Sequence, residues 1–287
     1  MTVSLVTGAN SGIGRSIAAH LAGQGHTVYA GMRDVGKADK LIDKAGEAAE
    51  HIYPITVDVT DDASVTEAFA GAGPLDVLVN NAGIGLNATT EDLDLDAGRL
   101  VFDTNLWGAI RCIQAALPAM RERGSGHIVN ISSVLGRTAT VGQTAYCAST
   151  WAMEGMSESL VHEVGPFGIR VSIIEPGITR TAILPKNVGQ PEDTAYEVAY
   201  RRMFQMYQAG IAANVSPDEV ASVVWHAITT DEPRLRYPCT WGGRELTEGR
   251  ARLHDEDWVA LGMAETDEEY FERFESAFGL DIRPLTD

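Results

Sequence analysis

The sequence TGANSGIG, residues 7–14, follows the short apolar run VSLVT at residues 3–7. The apolar run predicts a buried strand, and the helical spacing of residues 13–24 predicts a helix directly after the glycines. Glycines let the backbone turn sharply, and the free N–H groups at a helix N-terminus attract phosphate. The stretch therefore predicts a turn that binds the pyrophosphate of a dinucleotide. Its GxxxGxG spacing differs from the commoner GxGxxG, so a merely tight strand–helix turn stays an alternative.

The alternation of strand and helix continues along the chain. Beyond the first strand, apolar runs predict further strands at residues 27–31, 52–57, 75–80, 127–132 and 170–175, and helical patterns stand out at 96–122 and 145–164. Near-continuous Val, Ile and Leu runs suit strands that are buried on both faces. These features predict an α/β fold of Rossmann type: a doubly wound, mostly parallel sheet of seven strands with helices on both faces.

Composition and charge limit the classes of partner. The 287 residues carry 22 basic and 40 acidic side chains, which gives a net charge of −18. An acidic surface repels nucleic acid and anionic membranes, and no run approaches the roughly 18 apolar residues of a membrane span. We therefore expect neither nucleic acid nor a membrane as partner.

The cysteines and histidines argue against disulfides and metal. Cys112, Cys147 and Cys239 lie far apart without a CxxC pair, and the seven histidines form no HExxH motif. The N-terminus MTVSLVTGAN enters an apolar strand at once and lacks the pattern of a signal peptide. We expect no metal site and a reducing, cytoplasmic location.

Further motifs lie at the ends of the predicted strands. They are VDVTD with Asp58, NNAG at 80–83, NISS with Ser132 and Ser133, YCAST starting at Tyr146, and PGITRT at 176–181. Together with TGANSGIG they resemble the single-domain branch of the short-chain dehydrogenase/reductase family over roughly residues 2–240. The run YCASTWAMEGMSESL is most similar to the hydroxysteroid and retinol dehydrogenase members.

The resemblance implies a nicotinamide dinucleotide cofactor held along one edge of the sheet. The implied cofactor-binding residues are Gly8, Asn10, Ser11, Gly12, Ile13 and Gly14 at the pyrophosphate, Arg33, Asp58 and Val59 at the adenosine, Asn80, Ala82 and Gly83 at the ribose and cleft floor, and Tyr146, Pro176, Gly177, Ile178 and Thr181 toward the nicotinamide.

The resemblance also implies an oxidoreductase that interconverts a hydroxyl and a carbonyl group. Tyr146 is the implied general acid or base, Ser133 binds the substrate oxygen, and Asn105 anchors a water in a proton relay. Ser133 precedes Tyr146 by thirteen residues, the usual family spacing, which favours it over Ser132. The chemistry agrees, because hydride addition to a carbonyl builds negative charge on oxygen, where a hydrogen-bond donor and a proton source are needed.

Thr150 is the departure from the family pattern Tyr-x-x-x-Lys. In relatives the lysine shares a helix face with the tyrosine, binds the nicotinamide ribose and lowers the tyrosine pKa. Thr150 is neutral and short, although a water molecule bridges such a gap in part. Three interpretations stay open: an active enzyme with altered pKa tuning, a deliberately disabled variant, and a dinucleotide-binding or regulatory protein without turnover.

The end of the second predicted strand bears on the choice between NADP and NAD. An acidic residue there binds a ribose 2′-hydroxyl, whereas the sequence has Met32 followed by Arg33. A guanidinium matches the oxygens of a 2′-phosphate, which favours NADP. Asp34 follows directly, and the position before Gly12 is Ser11 rather than a basic residue, so NAD stays the alternative.

Residues 182–215 form a long connection after the last of these strands and correspond to the family's variable substrate lid. Their apolar side chains include Ile183, Leu184, Met203, Phe204, Met206, Tyr207 and Ile211. A lid of this kind fits an apolar ketone or secondary alcohol, although ordinary helix packing explains the same pattern. Lys186, Arg201 and Arg202 are more consistent with solvated charges than with ligands of an acidic substrate group.

We expect residues 1–241 to form one dinucleotide-binding and catalytic domain. The acidic extension at 242–287 carries an aromatic stripe of Trp258, Tyr270, Phe271, Phe274 and Phe278, which predicts packing on the body or on a partner subunit. The resemblance implies a homodimer or homotetramer formed through the helices predicted at 96–122 and 145–164.

Overall fold

Seven parallel strands form one sheet in the computed structural model, which describes residues 1–181 and 194–284. The strands are β1 (Val3–Thr7), β2 (Thr27–Met32), β3 (Ile52–Thr56), β4 (Val77–Asn80), β5 (Gly126–Ile131), β6 (Ile169–Pro176) and β7 (Arg236–Cys239). Their order is β3-β2-β1-β4-β5-β6-β7, which confirms the predicted doubly wound Rossmann-type sheet. The winding reverses between β1 and β4, so a crevice opens at their carboxyl ends.

Helices pack on both faces of the sheet. They are α1 (Gly12–Gly23), α2 (Asp39–Ala45), α3 (Asp62–Ala72), α4 (Leu95–Phe102), α5 (Gly108–Arg123), α6 (Thr144–Val164), α7 (Glu197–Ala212), α8 (Pro217–Thr229), α9 (Gly243–Arg252), α10 (Asp255–Gly262) and α11 (Asp267–Phe278). Successive residues of a strand point to opposite faces. Accordingly Val6 packs in a core cluster with α1 and α8, whereas its neighbour Leu5 packs in another with α3, α5 and α6.

Two of the element boundaries that differ from the sequence-based prediction concern the site. The helix predicted at 96–122 begins at Leu95 and contains a π-helical turn, Asp103–Trp107, between α4 and α5. The strand predicted at 127–132 ends at Ile131, because the Ser133 side chain caps a short turn at Val134–Gly136 by accepting a bond from the Leu135 amide. As a result, Asn105 lies in a π-helical turn rather than in an α-helix, and Ser132 lies beyond the end of β5.

The three C-terminal helices pack on the body of the same chain. Phe271, Phe274 and Phe278 are buried in a cluster that includes Leu135 and Ile178. The Arg202 guanidinium on α7 pairs with Asp267 at 3.1 Å and lies 4.7 Å from the ring centre of Tyr270. α9 to α11 therefore contact both α7 and the loop after β5, next to the crevice.

In the part of the chain that the structure describes, no helix is both long and apolar enough to cross a membrane. Within the same residues, no group of three or more His, Cys, Asp or Glu side chains is placed to hold a metal ion.

Candidate active site

The glycine turn at the end of β1 forms a tight cradle. Gly8 and Gly12 adopt left-handed backbone angles, with φ of 68° and 53°. A Cβ on Gly14 would lie 2.3 Å from Asn81 Nδ2 and 2.5 Å from the Gly8 carbonyl oxygen. Ser11, the N-cap residue of α1, makes no side-chain bond to the helix, so its hydroxyl does not cap the first-turn N–H groups. The cradle fits a pyrophosphate on the N-terminus of α1.

Asn81 ties this turn to the end of β4. Its Nδ2 donates to the Thr7 carbonyl oxygen at 2.9 Å, and the Thr7 hydroxyl accepts from the Asn81 and Ala82 amides. Asn81 was not among the residues predicted for the site, although it lies within the NNAG motif. This bonding holds the carboxyl ends of β1 and β4 together at the point where the crevice opens.

Asn80 is predicted to line the ribose and the cleft floor, but its side chain lies beneath the cleft. Asn80 is the last residue of β4, and its Nδ2 donates to Asn130 Oδ1 of β5 at 2.9 Å. Its buried side chain therefore links two strands beneath the crevice. Among the described residues, the neighbouring Asn81 lines the cleft and Asn80 does not.

The other predicted site residues all lie along one cleft of about 620 Å³ at the carboxyl edge of the sheet. Those brought together are Gly8, Asn10, Ser11, Gly12, Ile13, Gly14, Arg33, Asp58, Val59, Ala82, Gly83, Asn105, Ser133, Tyr146, Thr150, Pro176, Gly177, Ile178 and Thr181. The cleft is also lined by Gln143, which was not predicted as a site residue from the sequence, and by Met206 and Tyr207 of the predicted lid. Of the predicted lid, residues 182–193 lie outside the described residues.

The ends of β2 and β3 form one end of the cleft. The Arg33 side chain is exposed there, near the Asp58 carboxylate. Burial opposes ionisation of Asp58, but two bonds from Thr60 and the charge of Arg33 outweigh it and lower the Asp58 pKa. Asp34 instead accepts from the Gly36 amide and pairs with Lys37 at 3.2 Å. Arg33 is thus the positively charged strand-end residue that lines the cleft.

Tyr146 and Ser133 meet at the other end of the cleft. Burial raises the pKa of Tyr146, and the neighbouring Ser133 hydroxyl acts in the opposite direction. Ser133 is fixed in turn, because its hydroxyl accepts from the Leu135 amide at 3.1 Å. The pair places a phenol and a hydroxyl together, the arrangement that can stabilise charge on a substrate oxygen and exchange a proton with it.

Asn105 lies in the π-helical turn and joins two parts of the site. Its Oδ1 accepts from the Ile84 amide at 2.9 Å, while Nδ2 donates to the Ile84 carbonyl and to the Ser149 hydroxyl. The extra residue in such a turn re-aims the side chains around it. Asn105 therefore clamps the segment after β4 against α6, the helix that carries Tyr146.

Thr150 lies one turn after Tyr146 on α6 and is only 5% exposed. Its hydroxyl donates to the carbonyl oxygens of Tyr146 and Cys147, each at 3.0 Å. Its polar atom is thus engaged by the helix backbone. Among the described lining residues, Arg33 carries the positive charge, and it belongs to the strand ends at the opposite end of the cleft.

Comparison with known proteins identifies the family of the chain. A family model described as short chain dehydrogenase matches residues 2–192. Retinol dehydrogenase 8 of Bos taurus is 39% identical over 250 residues, 81% of this chain and 79% of the relative. The 17-beta-hydroxysteroid dehydrogenase type 1 of Homo sapiens is 38% identical over 269 residues, 88% of this chain and 81% of the relative.

Solved structures give the same result. A short-chain dehydrogenase from Streptomyces avermitilis has a TM-score of 0.79 at 34% identity and covers 92% of this chain and 98% of its own. A metagenomic short-chain oxidoreductase in complex with NADP has a TM-score of 0.66 at 26% identity, covering 82% of this chain and 94% of its own. The chain therefore belongs to the short-chain dehydrogenase/reductase family of oxidoreductases, with retinol and hydroxysteroid dehydrogenases among its relatives.

Proposed function

We propose that this protein transfers a hydride between NADP(H) and a carbonyl or secondary hydroxyl group of a largely apolar small molecule. The observation that carries the proposal is that Tyr146 and Ser133 line the same cleft as the glycine cradle. A proton-transfer pair and a dinucleotide cradle in one cleft are the two parts that hydride chemistry requires.

NADP is the proposed cofactor, and NAD is the alternative. Gly8, Gly12 and Gly14 would hold the pyrophosphate, and Arg33 would pair with a 2′-phosphate. The preference is supported by Asp34, whose carboxylate is engaged by Lys37 and the Gly36 amide. It is also supported by the relative solved in complex with NADP.

When bound, the nicotinamide supplies or receives the hydride at the substrate carbon. In reduction, Ser133 donates a hydrogen bond to the carbonyl oxygen and Tyr146 transfers its phenolic proton to that oxygen as the C=O π bond breaks. The products would be an alcohol with one new C–H and one new O–H bond, the oxidised cofactor, and a tyrosinate that regains a proton from solvent. In oxidation, Tyr146 acts as the base and the same atoms move in reverse.

An apolar substrate is supported by a second cavity of about 390 Å³ beside the cleft. Leu135, Met206 and Leu246 line both spaces. The second cavity is lined further by Phe274 and Phe278 of α11. A molecule whose carbonyl lies at Tyr146 can therefore extend an apolar part between α7 and the C-terminal helices.

The test is turnover of a panel of apolar ketones with NADPH and of the matching secondary alcohols with NADP⁺, followed by nicotinamide absorbance. We expect turnover of at least part of the panel, faster with NADPH than with NADH. Turnover with no member, before and after the Thr150→Lys substitution, would contradict the proposal.

Dinucleotide binding without turnover is the second candidate, favoured by two observations. Thr150 replaces the family lysine, and burial raises the pKa of Tyr146. This candidate predicts tight binding of NADPH by calorimetry together with absent turnover that Thr150→Lys does not rescue.

We also propose a homodimer or homotetramer formed through α4, α5 and α6. The proposal is supported by large apolar side chains on this surface, where Trp107 is 51% exposed, Trp151 is 49% exposed, and Leu100 is 52% exposed. Light scattering should give a mass of two or four chains, and Trp151→Glu should lower it. A single-chain mass for the unmodified protein would contradict the proposal.

A further inference from the structure

Gln143 is held rigidly at the start of α6. The preceding residue, Gly142, has a left-handed φ of 73°, and a Cβ there would lie 3.1 Å from Met203 Sδ. The Gln143 carbonyl oxygen accepts from the Cys147 amide at 2.8 Å, and the next amide, that of Thr144, donates to the Ala88 carbonyl at 3.3 Å. The backbone on each side of Gln143 is thus fixed by α6 and by the segment after β4.

The Gln143 side chain is also fixed, but one of its polar atoms is unused. Nε2 donates to Asn87 Oδ1 at 3.0 Å, which holds the amide in place. The residue is 2% exposed, and its Oε1 has no hydrogen-bond partner within residues 1–181 and 194–284. A buried amide oxygen without a partner costs free energy unless a ligand supplies a donor.

Gln143 belongs to the reacting end of the cleft. Gln143 lines the cleft and precedes Tyr146 by three residues, about one helical turn. Tyr207 of α7 lines the same region, where burial and the neighbouring Tyr146 and Cys147 raise its pKa. Gln143 and Tyr207 thus both line the cleft near Tyr146.

We propose that Gln143 is a specificity-determining residue that accepts a hydrogen bond from a second polar group of the substrate, a hydroxyl within a few bonds of the reacting carbonyl. The substrate class is then a hydroxy ketone, or a diol in the opposite direction, with an otherwise apolar body. This inference rests on the proposed function for the position of the carbonyl at Tyr146.

The test uses two aryl ketones, phenacyl alcohol and propiophenone. Phenacyl alcohol carries a hydroxyl group where propiophenone carries a methyl group. Their dissociation constants from the NADPH complex and their kcat/KM values are measured for the unmodified protein and for Gln143→Leu. Gln208→Leu, an exposed position on α7, is the matched control. Thermal unfolding and NADPH affinity show whether each variant keeps its fold and cofactor site.

We expect the unmodified protein to prefer phenacyl alcohol, and Gln143→Leu to lower that preference about tenfold, the effect of one lost hydrogen bond. Gln143→Glu keeps an acceptor oxygen and should retain the preference. Equal losses for both ketones, or no initial preference, would overturn the inference. If neither ketone is turned over but phenacyl alcohol binds through Gln143, the proposed reaction fails while the inference stands.

Discussion

At the scale of single residues, the chemistry depends on the charge state of Tyr146. Burial raises its pKa, and Thr150 offers no positive charge one turn away. Oxidation of an alcohol needs the deprotonated phenol. At pH values below the pKa of Tyr146, the deprotonated fraction grows about tenfold for each pH unit. Oxidation should therefore keep rising through the alkaline range, whereas reduction, which needs the protonated phenol, should be nearly independent of pH around neutrality.

Thr150→Lys should move this pH profile. A cation beside Tyr146 favours the phenolate and lowers the pKa of the phenol. Lowering that pKa by about one corresponds to about 1.4 kcal/mol and to about tenfold in oxidation rate at neutral pH. Thr150→Met adds a chain of similar reach without charge and is the control. Identical kcat profiles against pH for the lysine and methionine variants would show that charge at this position does not tune Tyr146.

Arg33 should determine the choice of cofactor. Removing a guanidinium that pairs with a 2′-phosphate should weaken NADPH binding by roughly tenfold or more and leave NADH binding nearly unchanged. Arg33→Ala is compared by calorimetry with Arg121→Ala, an exposed arginine on α5. An equal loss of affinity for NADPH and NADH in Arg33→Ala would show that another residue binds the 2′-phosphate.

Much of the candidate site could be predicted from sequence, because strand ends carry recognisable motifs that a parallel sheet brings to one edge. Asn80 and Asn81 show the limit: they are identical in type, and only the strand's last alternation decides which faces the cleft. Gln143 could not be found in this way, because its place depends on how α7 packs against α6.

At the scale of elements, the turn between β1 and α1 requires the absence of a side chain at position 14. Gly14→Ala would force a Cβ into Asn81 Nδ2 and the Gly8 carbonyl oxygen, so NADPH binding should fall at least about tenfold. Gly23→Ala, in the last turn of the same helix, meets nothing within 4 Å and should stabilise the protein by about 0.5–1 kcal/mol. The two variants are compared by calorimetry and thermal unfolding, and normal NADPH affinity in Gly14→Ala would contradict the assigned cradle.

Two elements could not be located from the sequence, and each has a physical reason for being missed. β7 is a four-residue edge strand that contains Pro238, and its pairing with β6 comes from tertiary contact rather than from an apolar run. The π-helical turn at Asp103–Trp107 is invisible to helical periodicity, since it adds one residue to an otherwise continuous helix.

At the scale of the whole molecule, α9 to α11 complete both the core and the apolar cavity. Phe274 is buried there, so Phe274→Ala should lower the free energy of unfolding by about 3–5 kcal/mol and raise KM for apolar ketones. Phe167→Ala, at a site that is 46% exposed, is the control and should change stability little. A Phe274 variant of unchanged stability would mean that the C-terminal helices are not part of the cooperative unit.

The central claim is that Tyr146 exchanges the proton during hydride transfer, and Tyr146→Phe tests it most directly. Tyr53→Phe, at a 49% exposed position on β3, removes a phenolic hydroxyl away from the cleft. For a ketone that the unmodified protein reduces with NADPH, we expect kcat to fall at least about 100-fold in Tyr146→Phe, with NADPH affinity within about threefold, and to be unchanged in Tyr53→Phe. Full turnover in Tyr146→Phe would contradict the account.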